Sequence, residues 1–190
     1  MSAFDYIITL FSLIFALALT HLLASATHMI RHRRTVIFDA AHTLWMFAAL
    51  LSLIANWISF WDFHTFKELT LGTIVIGLIL CGSQYFVCSL VAPHVSEDAP
   101  LNLREFHETQ GKTYIAAFLT LALLALAGNF FAGSVLDVAN WASQNAIVIA
   151  MVPVTLIAIF VRARWVQILA PVVVIGAFVV FLIEYYPVLR

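Results

Sequence analysis

The stretch "ALTHLLASATHMIRHRR", residues 18–34, ends a long apolar run in a cluster of arginines, and its reading decides the fold. From residue 5 to residue 30 the chain is predominantly apolar, and Arg31, Arg33 and Arg34 then stop the run. An α-helix needs about 20 apolar residues to cross the hydrocarbon core of a bilayer. The segment is long enough to do so, and the arginines mark where it meets the membrane surface.

The pattern recurs along the chain. Six apolar segments stand out, at about 5–30, 37–62, 70–92, 113–136, 145–161 and 165–187. The fifth, with 17 residues and Pro153 inside it, lies at the short end of the spanning range and needs tilt or local thinning of the bilayer. Of the 190 residues, 64% are apolar and only 10% charged, against roughly 25% charged in soluble domains; the mean hydropathy is +1.04. These values predict an all-α, polytopic integral membrane protein. It is expected to form one six-helix transmembrane domain over residues 1–190, with the lipid bilayer as its surroundings. A β-barrel would give short alternating segments instead of continuous apolar runs. Asp5 stands where a cleavable signal would carry basic residues, so the first helix is expected to be retained.

Orientation follows from lysine and arginine. The turns after the first, third and fifth segments carry Arg31, Arg33, Arg34, Arg104, Lys112, Arg162 and Arg164, seven of the nine basic residues, while Lys67 and Arg190 lie on the other side. The positive-inside rule places those turns in the cytoplasm and both termini outside, with a bacterial inner membrane as the expected location. The outer side is acidic, with Asp5, Asp62, Glu68, Asp137 and Glu184. The longest polar stretch, residues 94–112, is too short for a domain. Leu101, Leu103 and Phe106 alternate there with polar residues, which suggests a short helix lying on the inner surface.

Six helices dividing three plus three would make two inverted halves. An offset of 108 residues superposes Tyr6 on Tyr114, Ile7 on Ile115, Leu13 on Leu121 and Ala24 on Ala132, and sets His21 against Asn129.

Ionisable groups at membrane depth are expensive and usually face the bundle interior. On the first helix His21, Ser25 and His28 share a face by their i, i+4, i+7 spacing. On the second, His42, Trp45, Ala49, Ser52, Asn56 and Ser59 form a stripe running nearly its full length. Gly77, Cys81, Gln84 and Cys88 form a similar face on the third. Cys81 and Cys88, about 10 Å apart along a helix axis, cannot pair and read as buried thiols. The short connection between the first two helices predicts antiparallel neighbours, which would bring His21, His28, Asp39 and His42 together near the inner leaflet.

Three readings of that cluster follow. In the first, His21 and His42 begin a proton or polar-solute path through Ser25, Ser52, Asn56, Gln84 and Asn129 toward an outer acidic mouth at Asp5, Asp62 and Glu184; histidine titrates near physiological pH, as such a path requires. In the second, His28, Asp39 and His42 hold a metal, or His21 or His28 pairs with His42 on a haem iron, no other histidine being expected in helices three to six. In the third, His28, His32, Asp39 and His42 are interfacial residues beside the arginines, and His21 alone is hydrogen-bonded across helices. Trp57, Phe60, Trp61 and Phe63, with Trp165, Tyr185 and Tyr186, read as aromatic belts at the membrane surfaces.

No GxGxxG, GxxxxGK[ST], HExxH, GxSxG or CxxC motif is present, so no familiar catalytic signature supports an enzyme. No polybasic run or stacking platform points to nucleic acid. The expectation is a small inner-membrane channel or transporter for an ion, proton or small polar solute, acting as a homo-oligomer because six helices leave little room for a private path. The alternative is a non-catalytic subunit or sensor that works through a partner membrane protein, and a haem or metal carrier comes third.

Overall fold

A computed structural model describes residues 3–61, 70–94, 100–132 and 138–185. The described residues are all-α: α1 (Ala3–Arg31), α2 (Ala40–Ser59), α3 (Leu71–Val91), α4 (Leu103–Ala132), α5 (Val138–Gln144), α6 (Ala146–Phe160) and α7 (Arg164–Tyr185). Five of these, α1 to α4 and α7, are long and apolar enough to cross a membrane. The segment expected at 145–161 is helical, but α6 has only 15 residues, about 22 Å of helix.

Each boundary has a local cause. Asp39 caps α2, its Oδ2 accepting the His42 N–H at 3.1 Å, and the Thr70 hydroxyl oxygen caps α3 by accepting from the Thr73 N–H. The main departure from expectation is α4, which begins ten residues earlier than the expected 113 and is 30 residues long. Residues 103–112 are thus not a separate interfacial helix but the first turns of α4. The Asn102 side-chain oxygen accepts from the N–H groups of Arg104 and Glu105 at 3.1 and 3.4 Å, and an Arg104–Glu108 pair at 2.9 Å supports the next turn.

The helix ends are tied together on the side that carries the basic turns. Val36–Ile37 (β1) and Leu101–Asn102 (β2) form a two-residue parallel pair, extended by the Leu101 N–H donating to the Thr35 carbonyl at 3.1 Å. One apolar core runs through the helices and includes Phe11, Phe15, Trp45, Val87, Tyr114, Phe118 and Val174. At its centre is α2, touching α1, α3, α4 and α7.

α1 touches α2, as the short connection predicts, but packs chiefly on α3. The reason is shape: Gly77 leaves a notch on α3 that Phe11 fills, so closely that a Cβ there would lie 2.5 Å from the Phe11 ring. Phe60, expected in the aromatic belt, is instead core at 3% exposure, its ring 5.0 Å from Phe11 and 5.7 Å from Phe15. Trp57, Trp61 and Trp165 are exposed, as belt residues should be, while Phe63 and Tyr186 lie outside the described residues.

Candidate functional site: a buried pair of imidazoles

The interior face of α2 carries the site. His42 is fully buried, one turn into the helix from Asp39. Its ring stands edge-on to Phe106 at 5.1 Å and to Tyr114 at 5.9 Å. Neither ring nitrogen has a hydrogen-bond partner. A neutral imidazole carries one donor and one acceptor, and each buried, unsatisfied group costs about 1–3 kcal/mol. Trp45, one turn on and equally buried, leaves its Nε1–H unpaired too, with its ring against Tyr114 and Phe118.

A second imidazole lies across Tyr114. His107, 2% exposed, is bonded through Nδ1 to the Tyr114 hydroxyl and through Nε2 to Gln167 Oε1 at 3.0 Å. The hydrogen-bond pattern fixes the protons. Gln167 Nε2 donates to the carbonyls of Ala158 at 2.8 Å and Val161 at 2.7 Å, which orients the amide with its oxygen toward His107. Nε2 of His107 must therefore carry a proton; in the neutral ring Nδ1 accepts, and the Tyr114 hydroxyl donates. Tyr114 thus touches both imidazoles, one with its hydroxyl and the other with its ring. Gln167 in turn satisfies carbonyls at the end of α6 that no helical N–H reaches.

Asp39 links this cluster to α7. Its Oδ1 forms an ion pair with Arg164, whose side chain is 45% exposed while that of Asp39 is 3% exposed. Burial works to raise the Asp39 carboxyl, but the Arg164 guanidinium and the His42 backbone N–H outweigh it and hold the group below its ordinary value of 3.8.

The other expected site residues are spread over separate contacts. Ser52, Asn56 and Gln84 do meet: Asn56 Nδ2 donates to Gln84 Oε1 at 2.7 Å, and Gln84 Nε2 donates to Ser52 Oγ at 3.1 Å and approaches Cys88 Sγ at 3.4 Å. Ser52 hydrogen-bonds the Ala49 carbonyl as well. Cys81 and Cys88 are free and buried. His21 does not join His42. It is exposed on the outside of α1, its ring 6.4 Å from that of Tyr85. Ser25 donates to the Pro93 carbonyl at 2.8 Å. Asn129 lies at the far end of α4 and donates to Asn145 Oδ1 at 2.8 Å. Asp5 and Glu184 are exposed, and Asp62 lies outside the described residues.

The expected metal set does not assemble. His28 stacks on His32 at 6.2 Å, Asp39 is engaged by Arg164, and among the described residues no three His, Cys, Asp or Glu side chains are placed to hold a metal ion. With His21 and His28 both on the outside of α1, neither is brought to His42 for a bis-histidine haem. Contrary to the expectation that helices three to six carry no histidine, α4 carries His107.

His107, Tyr114, Gln167 and Arg164 are therefore the site residues that sequence reasoning missed. One sequence signal pointed to them: Asn102 followed three residues later by Glu105 is a helix-start pattern. Starting α4 there puts His107 and Tyr114, seven apart, on one face. The arrangement defines an all-α chain with helices fit to cross a membrane and a buried imidazole–tyrosine–imidazole core. No family model, curated protein or solved structure matches it.

Proposed function

We propose that this chain is a membrane-embedded proton-handling protein in which His42 and His107 take up and release protons on either side of Tyr114. The observation that carries the reading is His42: a fully buried imidazole with both nitrogens unpaired. A structural histidine at that depth would satisfy at least one nitrogen, as His107 satisfies both. Histidine changes charge near physiological pH. The aromatic packing around His42 suits a bare proton better than a hydrated solute. From His42 the interior face of α2 continues through Trp45 and the Ser52–Gln84–Asn56 cluster to Ser59, toward the end of the bundle where Asp5 and Glu184 are exposed, with Asp62 following in sequence. In this reading the membrane is a bacterial inner membrane, the basic turns are cytoplasmic, and the termini and the acidic mouth face outward.

The test is proton flux in proteoliposomes carrying a pH-sensitive dye. Wild-type protein is expected to dissipate a pH gradient; His42→Phe lowers the flux at least tenfold, while His21→Leu leaves it unchanged. Because His42→Phe adds volume in a packed core, His42→Gln and Tyr114→Phe are measured beside it, with helicity checked for each. No flux by the folded wild-type protein, or wild-type flux in folded His42 variants, overturns the proposal.

A second reading concerns assembly and rests on the exposed His21. An ionisable group facing lipid at membrane depth is costly, so the face that bears it is better placed against protein. Leu10, Leu13 and Leu17 are exposed on α1, and exposed Thr20 and Ala24 continue their alternating spacing of three and four beside His21. A parallel contact between two copies sets each of these residues near its own equivalent, with the small ones permitting close approach. We propose that the chain self-associates through this face of α1; a different membrane subunit seated there would make it a component of a larger assembly.

A further inference from the structure

We infer that the face carrying the basic turns is a docking surface for the headgroups of anionic phospholipids, formed by Arg31 at the end of α1, Arg33 and Arg34 just after it, and Arg162 between α6 and α7. This is independent of the proton reading. Two ion pairs are found among the described residues, Arg104–Glu108 and Arg164–Asp39. They engage Glu108 and Asp39 and leave these four arginines without a carboxylate partner among those residues, all four exposed.

The fold gathers the two basic segments on one face. Asp39, at the end of the first connection, is tied to Arg164, two residues after Arg162. The same connection is held by the Thr35 carbonyl to the start of α4. Arg162 lies along α4 at Gly111, where a side chain would meet its Nη1 at 3.4 Å, and it is turned to the surface rather than into the core.

The chemistry beside these cations is apolar. Ile30, Ile37 and Phe38 flank the first set at 62%, 59% and 53% exposure, and Phe160 and Trp165 flank Arg162 at 75% and 68%. Bases interleaved with exposed aliphatic and aromatic side chains at the ends of apolar helices match a lipid interface. The guanidinium groups meet phosphate, and the apolar neighbours meet the glycerol and upper acyl region. A soluble polyanion would use the charges and leave the apolar residues unused.

The full chain is reconstituted in nanodiscs of phosphatidylglycerol mixed with phosphatidylcholine, and lipid retained after detergent extraction is measured by native mass spectrometry. Wild-type protein should retain phosphatidylglycerol over phosphatidylcholine, and raising the salt from about 0.1 to 1 M should shrink that preference. With about fivefold expected for each basic residue near an anionic surface, the triple variant Arg33→Gln, Arg34→Gln, Arg162→Gln should lose about a hundredfold in preference. Arg104→Gln, whose guanidinium already has Glu108, should lose little. Millimolar inorganic phosphate should not displace the lipid; displacement would make the site one for free phosphate. Equal retention of both lipids by wild type, or an undiminished preference in a triple variant of normal helicity, overturns the inference.

Discussion

Asp39 serves two structural roles with one carboxylate. Oδ2 starts α2 by accepting the His42 N–H, and Oδ1 holds Arg164 at the start of α7. Its folded-state pKa lies below the ordinary 3.8, so its contribution to stability is fully present above that value and is lost as pH falls through the lower folded value. Wild-type protein in detergent should therefore lose thermal stability below about pH 4, and Asp39→Asn, which keeps a cap but not the charge, should lose less over the same interval. At pH 7 the Asn variant should be weaker by about 1 kcal/mol, a modest figure because Arg164 is nearly half exposed. Helical circular dichroism against temperature, at stepped pH, measures both effects; identical pH profiles for the two proteins would remove Asp39 from the account.

Among the elements, α1 and α4 show how packing goes beyond connectivity. The short connection keeps α1 beside α2, yet the Gly77 notch gives Phe11 its main seat on α3. Gly77→Ala should push a buried ring that is already pinned by Phe60, at a cost of about 1–3 kcal/mol; a thermal scan showing no loss would mean that the α1–α3 seam yields more easily than its geometry implies. The outer face of α1 can be mapped by single cysteines in a background where Cys81 and Cys88 are replaced. Disulfide-linked dimers are expected at positions 13, 17, 20 and 24, which face outward, and not at 11, 15, 18 and 22, which are buried. Cross-linking without that periodicity, or none at all in membranes, would count against self-association through α1.

At the scale of the molecule, hydropathy alone makes the long apolar helices fit to cross a membrane legible, because apolar runs near 20 residues have few other uses. The stripe on α2 was legible too, since a period of 3.6 maps directly onto one face, and the structure turns His42, Trp45, Ala49 and Ser52 to the interior. What was not legible was the chief packing partner of each helix. The rotation and neighbours of α1 depend on shape at Gly77, which no polarity pattern encodes, and that rotation leaves His21 exposed. His107 is hidden for a different reason: a polar stretch reads as the limit of a span, although the helix capped by Asn102 starts ten residues before the apolar run. The imidazole that shares Tyr114 with His42 therefore lies on α4, not on α1.

The unequal helix lengths have a mechanical consequence for the surrounding lipid. α4 reaches about 45 Å and α6 about 22 Å, yet the two pack side by side. A bilayer crossing made by α6 alone would fall short of a typical hydrocarbon core of about 30 Å, and lipids along it would have to thin or tilt to meet it. Under that crossing the lipid collar would be lopsided, with short-chain lipids gathered along α6 and the protein more stable in thin membranes than in thick ones.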